Sequence, residues 1–153
     1  MSIKDIITQR VLDAIVERPA AKLSFPELED TLLADGLKLG GVFANMSDTP
    51  DNRRLLSHII AIEAWGAHRL RVALGDPLVI DDSSAYRPPK GVGWQDLQKM
   101  FRAQRQQTVD MAKKLDAAHA EDVRIRHNQY GEMTARGWLY YLNIHANIEA
   151  RYF

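Results

Sequence analysis

The chain has no cysteine, which excludes disulfides, thiolate metal sites and a cysteine nucleophile. It has no charge excess of either sign, since Lys+Arg and Asp+Glu both number 20. No global field is available to recruit nucleic acid or an anionic membrane surface, and neither is expected as a partner. No apolar stretch approaches the roughly 20 residues needed to cross a bilayer. The first residues lack a basic segment followed by an apolar run and a small-residue cleavage site, so a cytoplasmic protein is expected. Familiar catalytic signatures are absent as well. Gly91-Val92-Gly93 lacks the length and the preceding strand of a phosphate-binding loop, and neither Gly-x-Ser-x-Gly nor His-Glu-x-x-His occurs.

Proline is sparse and placed like punctuation. All six prolines fall at 19, 26, 50, 77, 88 and 89, leaving long stretches free of the strongest helix breaker. Inside them the apolar spacing is helical. Ile3, Ile6, Ile7, Val11, Leu12, Ile15 and Val16 form a stripe that ends at Arg18-Pro19, with Ser2 and Asp5 placed as a cap. Ser24-Phe25-Pro26-Glu27 has the spacing of a capping box, starting a helix that runs towards Met46 and is weakened or bent around Gly36, Gly40 and Gly41. Thr49-Pro50 opens a third helix that reaches about Leu74, with Gly75 as its left-handed stop. Its length, about 25 residues at ~1.5 Å each, is roughly 37 Å, enough to span a bundle.

Residues 76 to 93 then read as a long crossover. A fourth helix runs from near Trp94 to about Ala118 on a stripe of Trp94, Leu97, Phe101, Thr108, Ala112 and Leu115. Residues 121 to 133 are polar and contain no convincing strand run, and Thr134 caps a last helix. With 153 residues the chain fits one domain, 1–153, large enough for its own core. The expected fold class is all-α: a four-helix bundle with one long crossover and an extra N-terminal helix.

Three side chains on this scaffold carry the chemistry. His145 and Glu149 are four apart and project from one helical face, and His58 lies on a stripe with Leu55, Ile62 and Trp65. If the two helices pack together, two imidazoles and a carboxylate converge on one divalent cation, for which zinc or nickel is the expected choice. Three protein ligands leave positions open to water or substrate. The alternative is a buried histidine hydrogen-bonded to the glutamate, without metal. Tyr141, one turn before His145, is placed to line a substrate pocket. Gln104 and Arg105, with Thr108, interrupt the apolar stripe of the fourth helix and are candidates to line a polar cavity and bind an anionic group. Equally, Arg105 can snorkel outward.

The remaining histidines fit poorer roles. His68 lies in a basic patch with Arg69 and Arg71 and reads as exposed, His119 follows a helix end, and His127 sits in a polar loop. Arg53, Arg54, Arg69 and Arg71 read as a solvated face.

Taken together, these segments resemble the DinB-like superfamily, the bacterial four-helix family of damage-inducible proteins and thiol-dependent transferases. Asn52 to Gly66, around His58, looks like that family's first metal-histidine helix. Tyr130-Gly131-Glu132-Met133-Thr134 and the run to His145 resemble its last helix, where an aromatic-glycine turn and a threonine cap precede a His-x-x-x-His pair. Trp94 to Leu115 is similar to the intervening helix, and the likeness covers roughly residues 25 to 153. The resemblance implies that His58 and His145 are metal ligands and that the third ligand falls on Glu149, where the family has histidine. It implies a metal-activated small thiol used in transfer or hydrolysis, and a homodimer. A non-catalytic stress-response or small-ligand-binding bundle with a lapsed metal site is the alternative.

Overall fold

The computed structural model describes residues 2–152 and is mostly helical, with five helices and one small two-stranded sheet. Helix α1 comprises Ile3–Leu12, a π-helical turn Asp13–Glu17 and Arg18–Ala21. Ser2 and Asp5 close its N-terminus with reciprocal bonds of 3.1 and 2.8 Å, the expected capping arrangement. The helix does not end at Pro19. A wide turn just ahead of the proline changes the hydrogen-bond register where its missing N–H would otherwise break the ladder.

Helix α2 (Phe25–Asn45) starts at the Ser24–Glu27 capping box and runs unbroken through its glycines. Gly36 is there for contact: a Cβ at this position would lie 2.7 Å from Cγ of Arg105. Helix α3 (Pro50–Leu70), capped by Thr49, tightens into a 3₁₀ turn over Arg71–Leu74 and stops at Gly75, whose φ of 105° is left-handed as expected. The crossover follows, with a single 3₁₀ turn at Ser83–Tyr86, and leads into α4 (Trp94–Ala117).

A β-hairpin occupies the segment in which no strand was expected. Strand β1 (Arg124–His127) pairs antiparallel with β2 (Gly131–Thr134), in the register Arg124 to Thr134 and His127 to Gly131. Four-residue strands carry too little alternation to be read locally, although Ile125 and His127 do point inward while Arg124 and Arg126 stay exposed. The hairpin is held from outside itself: Trp138 Nε1 donates to the Ile125 carbonyl at 3.0 Å, and Arg69 Nη1 to the Arg126 carbonyl at 2.7 Å. Thr134 then caps α5 (Ala135–Glu149).

Helices α2 and α3 both pack on α4, and α5 packs on α3 and α2, so the four surround one interior. One end of it holds Leu28, Leu32, Leu70, Leu115 and Trp138; the other holds Leu39, Phe43, Ile59, Leu97 and Phe101. Between these apolar halves lies a buried polar junction. Arg105 makes a two-pronged ion pair with Glu63, at 2.6 and 2.9 Å, and also donates to the Leu32 carbonyl and, at 2.7 Å, to Asn143 Oδ1. Asn143 in turn donates to Asp35 at 2.7 Å. All four helices meet in this network. Arg105 therefore does not snorkel: Glu63 neutralises its charge in the core, while its side chain also lines a cavity of about 260 Å³ with Gly36, Arg102 and Gln106.

Arg69, expected on a solvated face, is also fully buried. Its guanidinium binds the crossover through Asp81 and the hairpin through Arg126 and Asn128. Much of α1's apolar stripe stays outside instead. Leu12 and Val16 are buried, whereas Ile3, Ile7, Val11 and Ile15 are 78, 58, 52 and 55 % exposed.

Removing one partner of a buried ion pair strands the other without compensation. Glu63→Leu is expected to lower unfolding free energy by about 3–5 kcal/mol, and Glu63→Leu/Arg105→Met to recover most of it. Urea denaturation of the two variants checks this.

Candidate metal centre

The path of α3 past α5 positions the candidate ligands. Gly66 is in contact with Leu142, and a Cβ there would overlap the leucine side chain, so these helices approach closely where they cross. His58 stands two turns before Gly66, and His145 one turn after Leu142. Their ring centroids are 5.2 Å apart, with the planes at 66°. Glu149 Oε1 is 3.8 Å from His145 Nε2. One ligand atom from each of the three residues lies within 4.8 Å of the others. The structure thus brings together the three residues that the sequence nominated.

The electrostatics favour free imidazole. Burial pushes the pKa of His58 down; Glu149 opposes this and Arg87 adds to it. Burial takes His145 down to about 4, with His58 beside it contributing. Both rings are neutral at pH 7, the form that ligates a cation. The ligand atoms are not tied to each other: 3.8 Å is beyond hydrogen-bond reach, and neither imidazole has a hydrogen bond among the described residues. Glu149 sits in the last turn of α5, where the helix dipole already concentrates negative charge. A carboxylate there is unfavourable unless a cation accompanies it. Two neutral imidazole nitrogens and a carboxylate form a donor set that suits zinc, nickel or iron, so the residues present fit a divalent ion.

Tyr141 does reach this centre, with its ring 5.9 Å from that of His145. Burial, Tyr130 and Glu149 all raise its pKa, so it remains a neutral phenol. It also lines an apolar cavity of about 360 Å³ with Ile7, Val11, Ile15 and Ile144. Gln104 does not join the centre. It lines a separate cavity of about 670 Å³ between α3, α4 and the crossover.

His127 is the residue that sequence reasoning placed worst. It is buried on β1 rather than free in a loop, stacked on Tyr130 at 4.5 Å and packed against Trp65, Trp138 and Tyr141. Its Nδ1 accepts from the backbone N–H groups of Gln129 and Tyr130, at 3.1 and 3.3 Å, which puts the ring proton on Nε2. The inward-facing position of His127 in Arg124-Ile125-Arg126-His127 was the only local signal of this. His68 is likewise only partly exposed, with Nδ1 2.8 Å from the Tyr86 hydroxyl. His119 adopts a φ of 52° just past the end of α4.

No protein-family model, curated protein or solved structure matches the chain. Among the described residues no helix is long and apolar enough to cross a membrane.

Burial, then Arg69 and His145, depress the pKa of His127 to about 4. The unfolded chain therefore takes up this proton first as pH falls, and stability drops from about pH 6.5 down to about 4. A shift of that size corresponds to a loss on the order of 3 kcal/mol. His127→Asn retains an acceptor for the two backbone N–H groups and removes the titration. Denaturant melts across that range are expected to show a shallower pH slope for the variant than for wild type.

Proposed function

We propose that this chain is a divalent-metal-binding four-helix bundle of the DinB-like kind, with zinc or nickel held by His58, His145 and Glu149. The observation that carries this reading is the convergence of three donors from two helices within 4.8 Å, without hydrogen bonds between them. It favours metal over a lapsed site, because a closed hydrogen-bonded cluster would draw the three groups into contact.

The ion would supply Lewis acidity, lowering the pKa of a bound water or small thiol so that a nucleophile exists near neutral pH. The chain's own residues do the rest. His58 and His145 offer lone pairs because burial keeps them unprotonated. Glu149 offsets part of the ion's charge, which makes it a weaker Lewis acid than one held by three histidines. Tyr141, a neutral phenol beside His145, can donate a hydrogen bond and orient a small-molecule substrate. Transfer or hydrolysis dependent on a small thiol is the activity this arrangement supports.

Metal analysis of protein purified without chelator is expected to find about one zinc or nickel per chain, lost in His58→Ala and Glu149→Ala but retained in Glu149→His. Added zinc at a hundred times its Kd stabilises the native state by about 2.7 kcal/mol, visible as a raised Tm. A metal-free protein with a flat thermal response to zinc, nickel and manganese would exclude the reading.

We infer in addition that two chains pair through α1. The exposed row of Ile3, Ile7, Val11 and Ile15 is the observation behind this. Sedimentation should give a dimer at micromolar concentration and a monomer for Val11→Glu.

A further inference from the structure

A second constellation of titratable groups lies at the other end of α3, about ten residues (roughly 15 Å along the helix) from His58. His68 stands in the last turn of α3 and lines the 670 Å³ cavity. Its Nδ1 is 2.8 Å from the hydroxyl of Tyr86, on the crossover. That hydroxyl donates to Asp81 Oδ2 at 2.6 Å. Asp81 is itself fixed by Trp65 Nε1 at 3.0 Å and by the buried guanidinium of Arg69 at 3.3 Å.

The proton count along this chain settles the tautomer. Tyr86 has one hydroxyl proton, and the short contact with Asp81 claims it. The phenol stays protonated, since burial and Asp81 push its pKa up to about 12. Its oxygen can therefore only accept from His68, so His68 carries its proton on Nδ1. The lone pair is left on Nε2, which has no hydrogen-bond partner among the described residues. This is the arrangement that makes a histidine a base: one nitrogen held by an acceptor backed by a carboxylate, the other without a partner, on a side chain that lines a cavity.

We propose that His68 is a general base, positioned by Tyr86 and Asp81, for a small polar molecule bound between α3, α4 and the crossover. The charged groups of the cavity wall balance: Arg71 and Lys114 face Asp76 and Asp110, with Arg71 paired to Asp76 at 2.7 Å. Gln104 and Gln107 add neutral hydrogen-bonding groups. Such a wall suits an uncharged or zwitterionic ligand rather than an anion. In the step itself, an O–H bond of water or of the ligand breaks and its electron pair stays on oxygen. The proton moves to Nε2, and Asp81 stabilises the resulting imidazolium through Tyr86. With an ester present, that oxygen bonds to the acyl carbon, the alkoxide or aryl oxide leaves with its electron pair, and the imidazolium returns the proton.

The probe is 4-nitrophenyl acetate with chelator-treated wild-type protein, so that no metal route contributes. Hydrolysis should exceed that of His68→Ala and His68→Gln by at least about tenfold, within the range typical of a positioned base. Tyr86→Phe removes the link to Asp81; it should lower kcat with KM little changed and, by nitrogen-15 NMR, release the His68 proton from Nδ1 to a mixture of the two ring nitrogens, which loss of a structural contact alone would not do. Nitrogen-15 NMR of the wild type should show His68 protonated on Nδ1. A wild-type rate no greater than that of the His68 variants, a Tyr86→Phe variant with unchanged kcat and an unchanged His68 tautomer, or a wild-type proton on Nε2 would overturn the assignment. None of these results bears on metal at His58.

Discussion

The structure depends on one buried charge pair. Arg105 and Glu63 are almost completely withdrawn from water, and each would be costly alone. The pair is tolerated because the guanidinium is saturated: both carboxylate oxygens, the Leu32 carbonyl and Asn143 Oδ1 accept from it. Those partners lie on α2, α3 and α5, while the arginine comes from α4. A slip of α3 against α4 would leave a charge unpaired in an apolar interior, and a slip of α2 or α5 would cost the guanidinium one of its neutral acceptors. Leucines and phenylalanines above and below supply the bulk of the burial but tolerate other registers; the ion pair does not. Gly36 belongs to the same constraint, since the stem of Arg105 occupies the space a Cβ would need.

Fixing α3 against α5 in this way also fixes what lies along α3. The crossing at Gly66 and Leu142 divides the helix into two ends with different chemistry. Towards the N-terminus, His58 meets His145 and Glu149, three groups with donors free and no mutual hydrogen bonds. Towards the C-terminus, Trp65, His68 and Arg69 all engage the crossover through Asp81 and Tyr86. The first cluster lacks partners and so invites an external cation. The second is already internally bonded, which fixes the protonation of its histidine. Burial acts alike on His127 and His145, lowering both. Different neighbours give them different roles: His127 is sealed among aromatic rings, whereas His145 retains partial access to solvent.

The N-terminal helix shows how local and tertiary demands separate. Glu17, near its end, reaches the start of α5, accepting from Thr134 N–H at 2.8 Å and from its hydroxyl at 2.9 Å. Gly137 leaves room for that carboxylate, since a Cβ there would force the end of the Glu17 side chain to shift. So α1 is anchored by a polar clamp at one end, while its apolar row runs on uncovered. A stripe of hydrophobic spacing guarantees a helix and a face, but not that the face is buried within the same chain.

What the sequence determined by itself was everything governed by neighbours a few residues apart. Ser2, Ser24, Thr49 and Thr134 marked helix starts, Gly75 marked a stop, and His145 and Glu149 shared a face, because capping bonds and helical pitch act over one turn. Only the tertiary structure decided that Arg105 is a core ion pair, that Arg69 is buried, that His68 is bonded to Tyr86 and that His127 is caged. Each of those outcomes rests on a partner many residues away, such as Glu63 for Arg105 or Asp81 for Arg69. Composition cannot distinguish a surface arginine from a buried one. The difference is whether the fold brings a carboxylate and enough carbonyl oxygens to it, and that is settled only when the helices pack.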